Sequence, residues 1–171
     1  MKAYVVPALA VAGIAALAAP SQSSAQSSAW AYFEPDGAPL QAGVQSADGG
    51  QLILKCDETG EGEVFAVVVS PSRLRPSTNR PQVRSLWIRF DDGPRKEERW
   101  RYYEQSVTAL NTSRDQTLVD FLNGMADANM VEIRLEPADG PPFEVNFQIN
   151  GARDAIARVF ESCEDENFVE G

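Results

Sequence analysis

Histidine is absent from all 171 residues. That gap removes the usual general base of serine and cysteine triads, the commonest zinc ligand and the side chain that switches near neutral pH. Cysteine occurs only twice, and the wide separation of Cys56 from Cys163 excludes a CxxC redox centre. Cationic side chains are in the minority, 15 Lys and Arg against 25 Asp and Glu, for a formal net charge of -10. A surface of that sign repels phosphate backbones and anionic headgroups, which argues against nucleic-acid and peripheral membrane binding. It remains compatible with a cationic protein or a neutral glycan. No internal repeat is visible. The chain also lacks the alternating strand and helix rhythm of a doubly wound nucleotide-binding fold. Neither a cofactor motif nor a metal-ligand spacing is expected, and no residue is assigned a catalytic role.

Long apolar runs are missing with one exception, at the start. Met1 and Lys2 precede a run from Ala3 to Ala19 that is apolar or small apart from Tyr4, Pro7 and Gly13. One positive charge, a short hydrophobic core and small-x-small sites at Ala16-Leu17-Ala18, Ser23-Ser24-Ala25 and Ser27-Ser28-Ala29 are the parts of a secretory signal peptide. The alternative is an uncleaved anchor, for which the run is short, since a span needs about 20 apolar residues. The expected organisation is a signal peptide over 1–19, a disordered leader over 20–29 and one β-rich domain over 30–171. The leader is uncharged and small or polar, so it cannot offset the entropy of ordering. The destination is the periplasm or the exterior of a bacterial cell. In that oxidising compartment Cys56 and Cys163 are expected to pair, with two buried free thiols as the alternative.

Periodicity sets the fold class. Leu52, Leu54 and Cys56 alternate, an acidic loop follows, and Glu63-Val-Phe-Ala-Val-Val-Val69 reads as a central strand. Three prolines mark residues 70–81 as loop or sheet edge. Val83 to Asp91 places Leu86, Ile88 and Phe90 on one face and Trp87 and Arg89 on the other, and Glu97 to Tyr103 forms its hairpin partner. Leu118, Phe121, Leu122 and Met125 fall on one helical stripe, with Thr112 or Ser113 as cap. Met130 to Glu136 and Phe143 to Ile149 alternate again. A last helix opens after Asn150-Gly151, with Ile156, Val159, Phe160 and Cys163 inward. The class is therefore mainly β (α+β): an antiparallel sheet or small sandwich of six to eight strands, with helices at about 115–127 and 152–163. The acidic tail from about 164 is expected to fray, because its charges oppose the helix dipole.

Four polar or aromatic clusters are candidates for chemistry, each with an ordinary structural reading beside it. Arg73, Arg75, Arg80 and Arg84 form a basic stripe in an acidic chain, suited to a protein partner's carboxylates or to internal ion pairs. Trp87, Trp100, Tyr102 and Tyr103 either build an exposed aromatic face able to stack on a sugar or a protein, or put Trp100 into a core layer. Asp91, Asp92 and Glu98 could flank a glycosidic bond or simply solvate a turn. Asp57, Glu58, Glu61 and Glu63 could hold calcium weakly, although their spacing is not that of an EF-hand.

The stretches Leu52-Ile-Leu-Lys-Cys56, Ile88-Arg-Phe-Asp-Asp-Gly93 followed by Trp100, Phe121-Leu122, Met130 to Pro137 and Phe143 to Cys163 occur in an order that resembles exported bacterial proteins of the type VI secretion-associated VasI-like group and related envelope proteins. Gln148, Asn150 and the long acidic tail depart from that pattern. The resemblance implies an exported β-rich accessory domain with a Cys56–Cys163 bridge, and brings no catalytic residues. The expected function is a non-enzymatic accessory or protein-interaction domain of an envelope or secretion assembly. Its alternatives are an inhibitor of a cationic lysozyme and a carbohydrate-active hydrolase using Asp91, Asp92 or Glu98.

Overall fold

The computed structural model describes residues 30–35, 38–56, 62–77, 80–109 and 116–169. The expected signal peptide and leader, the caps at Thr112 and Ser113, and the acidic loop residues Asp57, Glu58 and Glu61 lie outside these.

Runs rich in β-branched and aromatic residues, punctuated by Gly, Pro and Asp, become strands. They are β1 (Ala31–Phe33), β2 (Gln41–Gln45), β3 (Gln51–Cys56), β4 (Val64–Val69), β5 (Gln82–Phe90), β6 (Lys96–Tyr102), β7 (Ser106–Ala109), β8 (Met130–Leu135) and β9 (Phe143–Gln148). Helices α1 (Thr117–Ala126) and α2 (Ala152–Cys163) complete the fold. All strand pairs are antiparallel. They form one sheet in the order β1-β2-β3-β4-β7-β6-β5-β8-β9. Nine strands among the described residues exceed the six to eight expected. The surplus lies in short elements such as β2, whose Gly43 and two glutamines weaken the apolar signal.

Alternation puts one face of every long strand into the core. Leu52 and Leu54, Val64, Ala66 and Val68, Leu86 and Ile88, Trp100 and Tyr102, Val131, Ile133 and Leu135, Val145 and Phe147 are all buried. The sheet curls around this face until the two ends meet: Trp30 Nε1 donates to the Ile149 carbonyl at 3.4 Å. A methyl group on Gly50 would stand 2.8 Å from Val145 Cγ1, so only glycine permits that approach. The helices close the concave side. The predicted stripe of α1 (Leu118, Phe121, Leu122, Met125) is buried, and Phe121 meets Trp100 edge to face at 4.9 Å between ring centroids.

The second helix begins at Gly151, whose φ of 80° is a left-handed geometry costly for other residues. Its buried side carries Ile156, Val159, Phe160 and Cys163 against β2, β3 and β4. Cys163 is disulfide-bonded to Cys56 at the end of β3, with 5.8 Å between Cα atoms. This covalent link joins the last helix to an early strand and is consistent with assembly in an oxidising, extracytoplasmic environment. No described helix is long and apolar enough to cross a membrane.

Over the residues described, the acidic tail expected to fray makes specific contacts with the domain. Glu164 closes α2 in a left-handed conformation at φ 55°. The Asp165 carboxylate accepts the Val64 amide at 2.9 Å, and Phe168 packs edge to face on Phe160 at 5.1 Å. One aromatic contact and one charge-assisted hydrogen bond thus oppose the unfavourable dipole term.

Candidate functional site

The solvent side of β6, β5, β8 and β9 carries what the inner face cannot: Val83, Trp87 and Arg89 on β5, Arg99 and Arg101 on β6, Glu132 and Arg134 on β8, and Glu144 on β9. Register pairs Arg89 with Glu132 and Arg134 with Glu144 across neighbouring strands. Glu132 is buried among its neighbours and is stabilised by two guanidiniums. Arg89 Nη2 donates to its Oε2 at 2.5 Å, while Arg95 reaches its Oε1 through Nε at 3.0 Å and Nη2 at 2.7 Å. Arg95 Nη2 also donates to Glu144 Oε1 at 2.8 Å. Hydrogen bonding to Glu132, then the charges of Glu132 and Glu144, hold the Arg95 pKa above its ordinary value. A cavity of about 300 Å³ opens beside this ladder, lined by Trp87, Arg95, Arg134 and Glu136.

The basic stripe separates into interior and exterior parts. Arg75 is buried, and its Nη1 donates to the carbonyls of Arg80 at 2.7 Å and Tyr102 at 3.0 Å. It ties its own segment and Arg80 to the sheet, a role it shares with the buried Leu74, whose amide donates to the Glu104 carbonyl at 2.8 Å. Arg84 lies 5.6 Å over the Tyr102 ring and reaches the Pro137 carbonyl at 3.4 Å. Arg73 pairs with Glu104 at 3.0 Å, and both remain open to water, at 58% and 46% exposure. Arg80 is exposed. The proposed docking role of Arg75 is therefore corrected to a structural one.

The aromatic cluster divides in the same way. Trp100 and Tyr102 face the core at 1% and 0% exposure, so neither is part of a surface face. Their alternation with Arg99 and Arg101 puts the charged residues outside and the rings inside. Trp100 Nε1 donates to Glu98 at 3.1 Å, and the Tyr102 hydroxyl donates to the Ser85 carbonyl at 3.0 Å and accepts the Glu136 amide at 3.3 Å. Burial raises the Tyr102 pKa above its usual value, with the Glu136 amide and the Arg84 charge opposing it. Trp87 is half-buried on the outer face, whereas Tyr103 and Val83 are exposed at 39% and 50%.

The three carboxylates proposed for hydrolysis do not line the Trp87 cavity. Asp91, in a left-handed turn at φ 45°, accepts the Asn129 and Met130 amides through Oδ1 at 3.1 and 2.9 Å. It fixes the start of β8. Asp91→Ala is expected to lower stability by about 1–3 kcal/mol, the range for losing hydrogen bonds to a charged group; urea unfolding checks this, and a change under 0.5 kcal/mol would refute the fastening role. Among the described residues no cluster of three or more metal-ligating side chains occurs. Of the candidate calcium loop, only Glu63 is described.

Sequence reasoning missed Arg95, Glu132, Arg134, Glu136 and Glu144. The signal was present in the polar positions of Glu132-Ile-Arg-Leu-Glu136, which alternate with apolar ones and carry opposite charges. No protein-family model, curated protein or solved structure matches the chain.

Proposed function

We propose that the chain is a non-enzymatic accessory domain of the bacterial cell envelope, acting in the periplasm or outside the cell and docking a protein of an envelope or secretion assembly. The observation that carries this reading is the exposed pair Val83 and Tyr103, with Arg101 opposite Val83 and the exposed Arg73 and Arg80 on the loop that leads into β5. Strand register sets Val83 opposite Arg101, so these two side chains lie at one end of the outer face of β5 and β6, and Arg80 closely precedes β5. Exposed apolar and aromatic groups rimmed by arginines have the composition of interface centres. A locally basic patch on a chain of net charge -10 also orients an acidic partner towards this end. The Asp91 carboxylate is committed to backbone amides and Glu98 accepts from Trp100, which supports a non-catalytic reading of both.

Photo-crosslinking in exporting cells tests this. A benzophenone side chain placed at Tyr103 is expected to give a discrete protein adduct that Val83→Asp diminishes at least threefold, whereas the same group at Glu161, exposed on α2, gives none. Identical adducts from both positions, or none from Tyr103, would overturn the assignment.

A further inference from the structure

Three tryptophans occur in the chain, and Trp30 and Trp100 are buried. Trp87 alone is half-open, and it lines the cavity of about 300 Å³ with Arg95, Arg134 and Glu136. Each of these four residues has polar capacity left over among the described residues. Among the described residues the Trp87 indole N–H has no protein acceptor, and the Glu136 carboxylate has neither hydrogen bond nor ion pair. Arg95 uses Nε and Nη2 on Glu132 and Glu144, leaving both Nη1 hydrogens unassigned. Arg134 approaches a carboxylate no nearer than 4.0 Å, at Glu144.

We propose that this cavity is a glycan subsite that takes one neutral pyranose ring on the indole of Trp87. The sign of the lining selects the ligand. Glu136 within the cavity, and Glu97 opposite Trp87 on β6, disfavour an anion. Arg95 and Arg134 disfavour a cation. A neutral polyol meets both kinds of group, since each sugar hydroxyl donates to a carboxylate and accepts from a guanidinium or the indole N–H. The indole supplies an apolar platform for the C–H face of the ring. The cavity is at the lower end of the range of about 300–1,000 Å³ for ligand sites, which suits a single ring of a longer chain. Arg95 is already held by two carboxylates, so binding immobilises little that is mobile. The site is open on the outside of the sheet, where a polymer can continue past it. It is lined by none of the side chains assigned to the protein-docking patch, so the two proposals stand or fall separately.

The burial of Trp30 and Trp100 makes intrinsic fluorescence a reporter of Trp87. The exported, disulfide-bonded protein is titrated with chitotetraose and with cellotetraose, and with tetraglutamate and tetralysine as charged controls. The expected result is a saturable blue shift and a threefold or greater fall in acrylamide quenching with one of the two sugars. By calorimetry, Trp87→Ala and Glu136→Gln should each weaken that sugar at least tenfold, while Tyr103→Ala leaves it unchanged and Trp87→Ala leaves the Tyr103 crosslink unchanged. No saturable response to either sugar at millimolar concentration, equal sugar binding by Trp87→Ala, or preferential binding of either charged peptide would overturn the proposal.

Discussion

Replacing both bridge cysteines, as Cys56→Ala with Cys163→Ala, is expected to lower the unfolding free energy by about 4 kcal/mol, within the range of 2–5 kcal/mol typical of native disulfides. The size follows from topology. The bridge spans 107 positions of the chain, so in its absence the unfolded ensemble regains the freedom of a loop that long. It also fastens α2, whose Ile156, Val159 and Phe160 cover β2, β3 and β4 from the concave side. The Asp165 and Phe168 contacts follow directly on Cys163 and would loosen with it. Urea unfolding of the oxidised protein and of the double variant, compared at equal slope, measures the difference. A loss below 1 kcal/mol would mean that apolar packing alone holds the last helix in place.

Trp100→Ala is expected to cost about 3–5 kcal/mol, the usual loss for truncating a large buried aromatic side chain. The indole is nearly inaccessible, meets Phe121 of α1 at 4.9 Å and so joins the centre of the sheet to the first helix. Truncation leaves a void at this junction and removes the donor to Glu98. The same substitution at Trp87, half-exposed on the opposite face, should change stability by less than about 1 kcal/mol. Measuring both variants by denaturant unfolding gives a direct comparison. Equal losses would contradict the assignment of the two faces of β5 and β6.

These two effects show which features a linear reading can reach. Alternation in Leu52 to Cys56 and in Phe143 to Ile149 was visible because each strand buries one face of apolar side chains. The helical stripe of Leu118, Phe121, Leu122 and Met125 was visible for the same reason at a different period. What could not be read was the placement of β7 against β4: Val107 meets Tyr102 of β6 through a tight local turn, but its pairing with Val68 is a long-range choice with little local signature. Trp100 was ambiguous, and Tyr102 read as surface-facing, because arginines and glutamates surround them in sequence, and only the register and burial show that those charges point the other way.

The candidate sites illustrate the same division. The local excess of arginine around residues 73–84 was legible, but its separation into a buried clamp at Arg75 and an exposed rim at Arg73 and Arg80 depends on the hydrogen bonds from Arg75 to the Arg80 and Tyr102 carbonyls. The Trp87 cavity draws on β5, β8 and the β5–β6 turn, which are brought together by the Arg89 to Glu132 register and by Arg95 bridging two carboxylates. Charge alternation on β8 hinted at an outer face. It could not name the tryptophan that this face surrounds.

The Cys56–Cys163 bond closes the fold and is consistent with an oxidising environment outside the cytosol. The most direct measurement is intact mass after the protein, recovered from the extracytoplasmic fraction, is denatured and treated with iodoacetamide without reductant. The expected result is an unalkylated mass, with alkylation at Cys56 and Cys163 appearing only once a reductant is added. Alkylation of both cysteines before reduction would contradict it.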